Sequence, residues 1–165
     1  MSTSIRPVAV TVNLQGKTVE LQQLGEDALF GRASYGKYAY AVGCERLFGL
    51  LDRHGIKATV FVPGAEAEAN PDYVAALAHR GHEIAAHGWA MEAMDAPDIG
   101  ERALIERTHA TLTRIIGASP RGFRAPHGSS PSRRWGTSRR SATATIQASR
   151  MTTGPTGSTL TAAAA

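Results

Sequence analysis

Short apolar segments alternate with segments of helical period along the first 128 residues. Four segments have the length, the β-branched or small apolar residues and the flanking glycine or proline of buried strands. They are residues 7–14, 56–62, 83–86 and 123–126. Apolar residues at helical spacing predict three helices between these strands. The helices cover residues 41–54, 70–80 and 98–117. Residues 15–40 lack a clear period, so we predict a long loop over a site.

The alternation of strand and helix predicts an α/β fold with parallel strands and right-handed crossovers. Architectures of this kind place their functional groups at the carboxyl ends of the strands. His87 directly follows the apolar segment 83–86, and Gly81 ends the helix before it. We therefore expect the chemistry of this protein to centre on His87.

Composition narrows the class of protein. The chain has 165 residues, of which 42% are hydrophobic, as in a single globular domain with a core. The net charge of +4 comes from five arginines after residue 128, because residues 1–128 hold 13 basic and 14 acidic side chains. The folded part is close to neutral, so we expect no nucleic-acid partner. A lone Cys44, and the lack of a leader or a long apolar run, lead us to expect a cytoplasmic protein with no membrane partner.

Three segments, in this order, resemble the polysaccharide deacetylase family, also called the NodB-homology domain or carbohydrate esterase family four. They are GIKATVFVPG at 55–64, GHEIAAHGW at 81–89 and GFRAPHG at 122–128. The resemblance covers a domain at residues 7–128. It implies a partial, distorted (β/α) barrel of about four βα units with its active site on the carboxyl face of the strands. It also implies a hydrolase of non-peptide carbon–nitrogen bonds that removes acetyl groups from N-acetylated carbohydrate.

The resemblance also implies a metal-dependent mechanism. In that family an aspartate and two histidines four residues apart bind a divalent metal, usually zinc. A second aspartate is the general base, the arginine of an R-x-P motif orients it, and a histidine from a late strand is the general acid. His87 matches the first metal histidine, and Arg124 matches the arginine. We predict that Trp89, Pro126 and His127 bind substrate; the alternatives are that Trp89 covers the end of the barrel and that His127 is an exposed loop residue.

The match to this set of residues is incomplete. Met91 stands where the second metal histidine should be, and Asn13 and Gln15 stand on or beside the two aspartates. By the resemblance Asn13 takes the catalytic position, and Gln15 takes a metal-ligand position. Amides are neutral, ligate zinc poorly and cannot serve as a base near neutral pH. The cofactor implied by the family is zinc, and the alternative is that this chain has none.

Residues 129–165 differ in kind from the rest. Ser, Thr, Arg and Ala make up 27 of these 37 residues, and we predict a disordered, low-complexity tail. Read one base out of frame, codons for residues 135–138 can encode LGHL, and those for 141–148 can encode LGYRYDSS, which resemble later segments of the family. We therefore interpret the tail as the product of a frameshift near residues 128–130. A shifted coding sequence that does not open a frame running far past codon 165 would contradict this interpretation.

Three hypotheses of function remain open from the sequence. The first is a metal-dependent deacetylase with an impaired site. The second is a metal-free, allantoinase-like enzyme that opens small cyclic amides, a chemistry that suits Asn13, Gln15, His87 and Arg124. The third is a non-enzymatic binding module or a non-catalytic, frameshifted gene product. A partial barrel exposes strand edges, so we also expect poor solubility or oligomers formed through the unpaired edge.

Overall fold

The structure is a computed structural model that describes residues 8–25, 38–93 and 100–128, and the backbone of residues 145–146. The centre of the long loop predicted at 15–40 lies outside these residues. So do the start of the helix predicted at 98–117 and most of the predicted disordered, frameshifted tail at 129–165.

Five parallel strands form one sheet in the described part of the chain, and they pair in chain order. They are β1 (Thr11–Asn13), β2 (Thr59–Val62), β3 (Glu83–Ala86), β4 (Gly122–Phe123) and β5 (Thr145–Ile146). The predicted parallel α/β fold is confirmed, because strands that pair in chain order are what the wall of a (β/α) barrel requires. Strand β5 lies inside the tail, where we predicted no regular structure. Its two residues are β-branched, which favours the extended conformation.

Five α-helices accompany these strands in the described residues. They are α1 (Thr18–Leu24), α2 (Glu45–Arg53), α3 (Gly64–Ala69), α4 (Pro71–His79) and α5 (Glu101–Ile116), and a π-helical turn, Ala39–Cys44, leads into α2. None of the described helices is long and apolar enough to cross a bilayer.

Two of these helices, α1 and α3, were not predicted. Helix α1 falls in the predicted loop, and it gave no helical signal because only Thr18 of its seven residues is buried. Helix α3 follows Pro63, which we took only as the end of a strand. The extended conformation of Pro63 instead begins a helix of small and acidic residues with high helix propensity.

The core lies between the sheet and the helices α2, α4 and α5. Its fully buried side chains include Phe48, Val60, Val62, Val74, Leu77 and Leu112. Strands β2 and β3 are buried on both faces, as is usual for parallel sheets covered by helices. On the opposite face, Phe61 and Ala85 pair in register and lie beneath the carboxyl edge of the sheet.

The strand register brings the carboxyl ends of β1, β3 and β4 together. Ala86 pairs with Phe123, and the N–H of Arg124 donates to the carbonyl oxygen of Ala86 at 2.9 Å. His87, the residue after β3, donates its own N–H to the carbonyl oxygen of Val62 at 3.1 Å. Backbone pairing therefore places His87 and Arg124 side by side.

A cluster of charged residues ties α2 to the opposite end of the sheet. Asp52 accepts from Arg80 at 2.6 Å and lies 3.4 Å from Nε2 of the buried His82. The N–H of Ala58 donates to Nδ1 of His82 at 3.2 Å, so the neutral imidazole carries its proton on Nε2. Lys57 lies 3.6 Å from the same carboxylate.

This cluster predicts how the stability of the fold depends on pH. Burial lowers the pKa of His82 below its ordinary value, against the opposing effect of Asp52. The unfolded chain therefore binds this proton at a higher pH than the folded chain does. The neutral His82 therefore contributes fully to the stability of the fold above about pH 6.5. This contribution is lost as the pH falls through the lower pKa that His82 has in the folded chain. Urea unfolding between about pH 7.5 and 5.5 should show this loss. A His82→Gln variant with the same pH dependence would contradict the assignment to this imidazole.

Candidate active site

A cleft of about 570 Å³ opens at the carboxyl edge of the sheet, within the usual size range of ligand sites. It is lined by the ends of three strands and by helix α1: Thr11, Asn13, Gln15, Val19, Gln23, His87, Met91, Arg124, Ala125, His127 and Gly128. Most of the site residues named from the sequence are therefore in one place. Trp89 and Pro126 are not among the lining residues.

His87 sits at the floor of this cleft and is almost completely buried, with 3% of its surface exposed. Its Nδ1–H donates to the carbonyl oxygen of Arg124 at 2.8 Å. A carbonyl can only accept, so the proton is on Nδ1 and the lone pair of Nε2 points toward the cleft. Burial is the main reason why the pKa of His87 lies below its ordinary value, and a neutral imidazole follows near pH 7.

Gln15 and Met91 converge on the free nitrogen of this imidazole. Nε2 of Gln15 donates to Nε2 of His87 at 3.0 Å and lies 3.8 Å from the sulfur of Met91. Met91 is buried and has the left-handed backbone conformation, with a φ of 63°. The three residues at the metal-ligand positions implied by the family resemblance therefore meet in the structure.

The donor atoms of this group do not fit zinc. Zinc in proteins is held by thiolate, imidazole and carboxylate groups, and a catalytic site supplies three of them. Here one imidazole is joined by a carboxamide and a thioether, and the imidazole lone pair already accepts a hydrogen bond from Gln15. In residues 8–25, 38–93 and 100–128 no three His, Cys, Asp or Glu side chains come together to hold a metal ion.

Arg124 contacts the side chain of residue 13, to which the family resemblance assigns the position of the general base. Its Nη1 donates to Oδ1 of Asn13 at 2.5 Å, and its Nη2 donates to the hydroxyl of Thr11 at 3.0 Å. The guanidinium also stacks on the ring of Phe61, 3.9 Å from its centroid. The arginine therefore has a partner at residue 13, but this partner is an amide and has no basic lone pair.

His127 closes one side of the cleft. Its Nε2–H donates to the carbonyl oxygen of Met91 at 2.9 Å, and both residues have positive φ, 55° and 63°. Left-handed conformations of residues other than glycine cost on the order of 1 kcal/mol or more, and they concentrate at functional sites. This hydrogen bond therefore joins the turn after β3 to the turn after β4 at the rim of the site.

Trp89 and Pro126, which we predicted to bind substrate, do not line the cleft. The loop after β3 folds back onto α3, because the N–H groups of Gly64 and Ala65 donate to the carbonyl oxygens of Gly88 and Trp89. The indole ring packs on Gly64, where a Cβ would not fit, and is covered by Arg107 at 3.5 Å. Pro126 is fully buried.

Glu66 is a residue near the site that the sequence analysis missed. Its buried carboxylate accepts hydrogen bonds from Thr18 at 2.6 Å, Tyr40 at 2.7 Å and Asn70 at 2.9 Å. It also packs against Gly16, whose φ of 50° and lack of a side chain permit this contact. Glu66 therefore anchors the backbone that follows Gln15. Glu66 and Glu68 stand in the same alternating run of alanine and glutamate, so no signal in the sequence separates the buried one from the exposed one.

Comparison with known proteins identifies the family. The family model of polysaccharide deacetylase matches residues 35–146, which is more than half of the chain. This chain belongs to the polysaccharide deacetylase family. A peptidoglycan deacetylase-like protein of Gibberella zeae is 36% identical over 96 residues, which are 56% of this chain and 28% of that protein.

Solved structures of the polysaccharide deacetylase family share the fold. A Mycobacterium smegmatis protein assigned as a polysaccharide deacetylase is 32% identical with a TM-score of 0.67, over 75% of this chain and 44% of that one. A pseudoenzyme of carbohydrate esterase family 4 from Bacillus anthracis is 18% identical with a TM-score of 0.64, over 88% of this chain and 44% of that one. The chain thus spans less than half the length of these proteins.

Proposed function

We propose that this chain is a polysaccharide deacetylase-like hydrolase domain for non-peptide carbon–nitrogen bonds in which zinc-dependent deacetylation is impaired. Membership in the family supports N-acetylated carbohydrate as its class of ligand. The cleft at the carboxyl edge of the sheet is where that ligand would bind, because functional sites of parallel α/β folds lie at this edge.

The impairment is supported by one observation: the hydrogen bond from Gln15 to Nε2 of His87. In a zinc site this nitrogen would bind the metal, and a carboxylate would stand beside it. The amide of Asn13 in addition cannot take a proton from water. The remaining groups can bind, orient and exclude water, but they supply neither a metal-bound water nor the carboxylate that serves as general base in the family.

Loading with zinc tests the proposal. After incubation with excess zinc and removal of free metal, we expect elemental analysis to find almost no zinc in the chain. Release of acetate from N-acetylglucosamine oligomers should stay at background, because loss of the general base alone costs about 10²-fold or more in rate. Near-stoichiometric zinc, or robust release of acetate, would contradict the proposal.

A second candidate function is the metal-free hydrolysis of small cyclic amides. It is favoured by the lining of the cleft, in which the side chains of Asn13, Gln15 and Gln23 stand with a neutral His87. Carboxamides offer donors and acceptors that complement the amide groups of a cyclic ureide. Turnover of allantoin by this chain, or by a protein made from a frame-restored gene, would support this candidate, and its absence in both would exclude it.

A further inference from the structure

The cleft carries a positive charge that none of its described lining residues neutralises. Within residues 8–25, 38–93 and 100–128, Arg124 is the one permanently charged side chain that lines the cleft, and no aspartate or glutamate of these ranges lines it. The ion pairs found in the described residues all lie elsewhere. The partners of Arg124 are a neutral amide and a hydroxyl, and the face of its guanidinium rests on Phe61.

The neutral partners of Arg124 also leave hydrogen-bond donors in the cleft. A guanidinium only donates, so Oδ1 of Asn13 must face Arg124, and its Nδ2 group must point the other way. Each Nη nitrogen of Arg124 donates one hydrogen bond within the described part of the chain and carries a second N–H. A charged group and an adjacent amide thus present donors at one place.

An anion fits this arrangement better than a neutral group does. A partly buried cation without a counter-ion is unfavourable, and a bound anion removes that cost. A single guanidinium matches the charge and the planar shape of one carboxylate, whereas phosphate sites usually collect several cationic or backbone donors.

We propose that the cleft binds a ligand through a carboxylate group that pairs with Arg124 and accepts a hydrogen bond from Nδ2 of Asn13. The ligand is therefore an acid, such as a carboxylate-bearing sugar, and not only a neutral N-acetylated one. This inference rests on the proposed function only in so far as both place the ligand in the same cleft. It does not depend on whether the chain turns over a substrate.

Acetate and acetamide provide a matched test, because the two molecules have the same shape and differ in charge. Each is titrated into the full chain, and the side-chain amide signals of Asn13 and Gln15 are followed by nuclear magnetic resonance. We expect acetate to shift these signals saturably and to bind about tenfold or more tightly than acetamide, the usual advantage of a charge-assisted hydrogen bond.

A pair of amide-to-acid variants locates the site. Asn13→Asp is nearly isosteric and supplies a carboxylate to Arg124, so the affinity for acetate should fall about tenfold or more. Gln22→Glu makes the same change of charge on the exposed side of α1, outside the cleft, and should change the affinity by about twofold at most. Circular dichroism establishes that both variants are folded.

Two outcomes would overturn the inference. Equal affinity for acetate and acetamide, or no binding of either, would mean that the charge of Arg124 serves only its packing on Phe61. Binding of acetate that survives Asn13→Asp would place the anion elsewhere. Neither outcome bears on the proposed function, which is judged separately by binding of N-acetylglucosamine oligomers and by zinc content.

Discussion

A chain carrying both Gln15→Asp and Met91→His should bind about one zinc ion, whereas we expect the unaltered chain to bind almost none. The two substitutions place a carboxylate and an imidazole beside Nε2 of His87, and the side chains that they replace already meet there. Histidine tolerates the left-handed conformation of residue 91 better than most side chains do. Loss of a group that merely orients a ligand lowers metal affinity about 10–100-fold, so gain of two direct ligands should raise it at least a hundredfold.

Zinc content by elemental analysis and zinc affinity by competition with a chromogenic chelator measure this gain. Each single variant should fall well short of the double variant, because two protein ligands seldom hold zinc. Addition of His87→Ala to the double variant should remove most of the gain. If the double variant stays as free of zinc as the parent chain, then residues 15, 87 and 91 do not form a metal-binding geometry.

Replacement of Glu66 by alanine should destabilise the fold by about 3–5 kcal/mol. The carboxylate accepts hydrogen bonds from Thr18, Tyr40 and Asn70 in a buried position, and its removal leaves these donors unsatisfied and a cavity beside Gly16. Burial, followed by the nearby carboxylate, raises the pKa of Tyr40 far above its ordinary value, so its hydroxyl stays a donor at any ordinary pH. Equilibrium unfolding in urea measures the loss.

Glu68→Ala is the matched control for Glu66→Ala. It changes the same residue type in the same helix, but its side chain is 52% exposed and lies 3.9 Å from Arg107. Such a surface pair contributes little, so the expected change is within about 0.5 kcal/mol. Glu66→Gln keeps the shape and one acceptor oxygen and should fall between the two. Equal effects of Glu66→Ala and Glu68→Ala would mean that the Glu66 network does not hold the fold together.

The elements that the sequence predicted well are those that bury apolar side chains in a local pattern. Helices α2, α4 and α5 place apolar residues against the core at a spacing of about 3.6, and strands β2 and β3 are short apolar runs buried on both faces; a sequence shows both patterns directly. Helices α1 and α3 were not predicted because few of their side chains are large and apolar. They are held by contacts with residues distant in the chain, such as Thr18 with Glu66 and Gly64 with Trp89, and a local sequence pattern does not reveal these contacts.

The same distinction between local sequence patterns and contacts distant in the chain applies to the residues of the site. His87, Arg124 and Asn13 line one cleft, and the sequence could indicate this because the end of a parallel strand is a position that it reveals. Trp89 was misplaced because its neighbour Gly64 comes from a helix that was not predicted. Glu66 was missed for a related reason: its partners are 48, 26 and 4 residues away along the chain.

Arg124 contributes to the cleft in two separate ways. Its main chain fixes the tautomer of His87, and its side chain holds Asn13 and Thr11. The first contact comes from strand pairing and survives any replacement of the side chain, whereas the second is lost with the guanidinium. The orientation of the imidazole is therefore independent of which side chains surround it. A well-oriented His87 does not by itself show whether its neighbours can take part in a reaction.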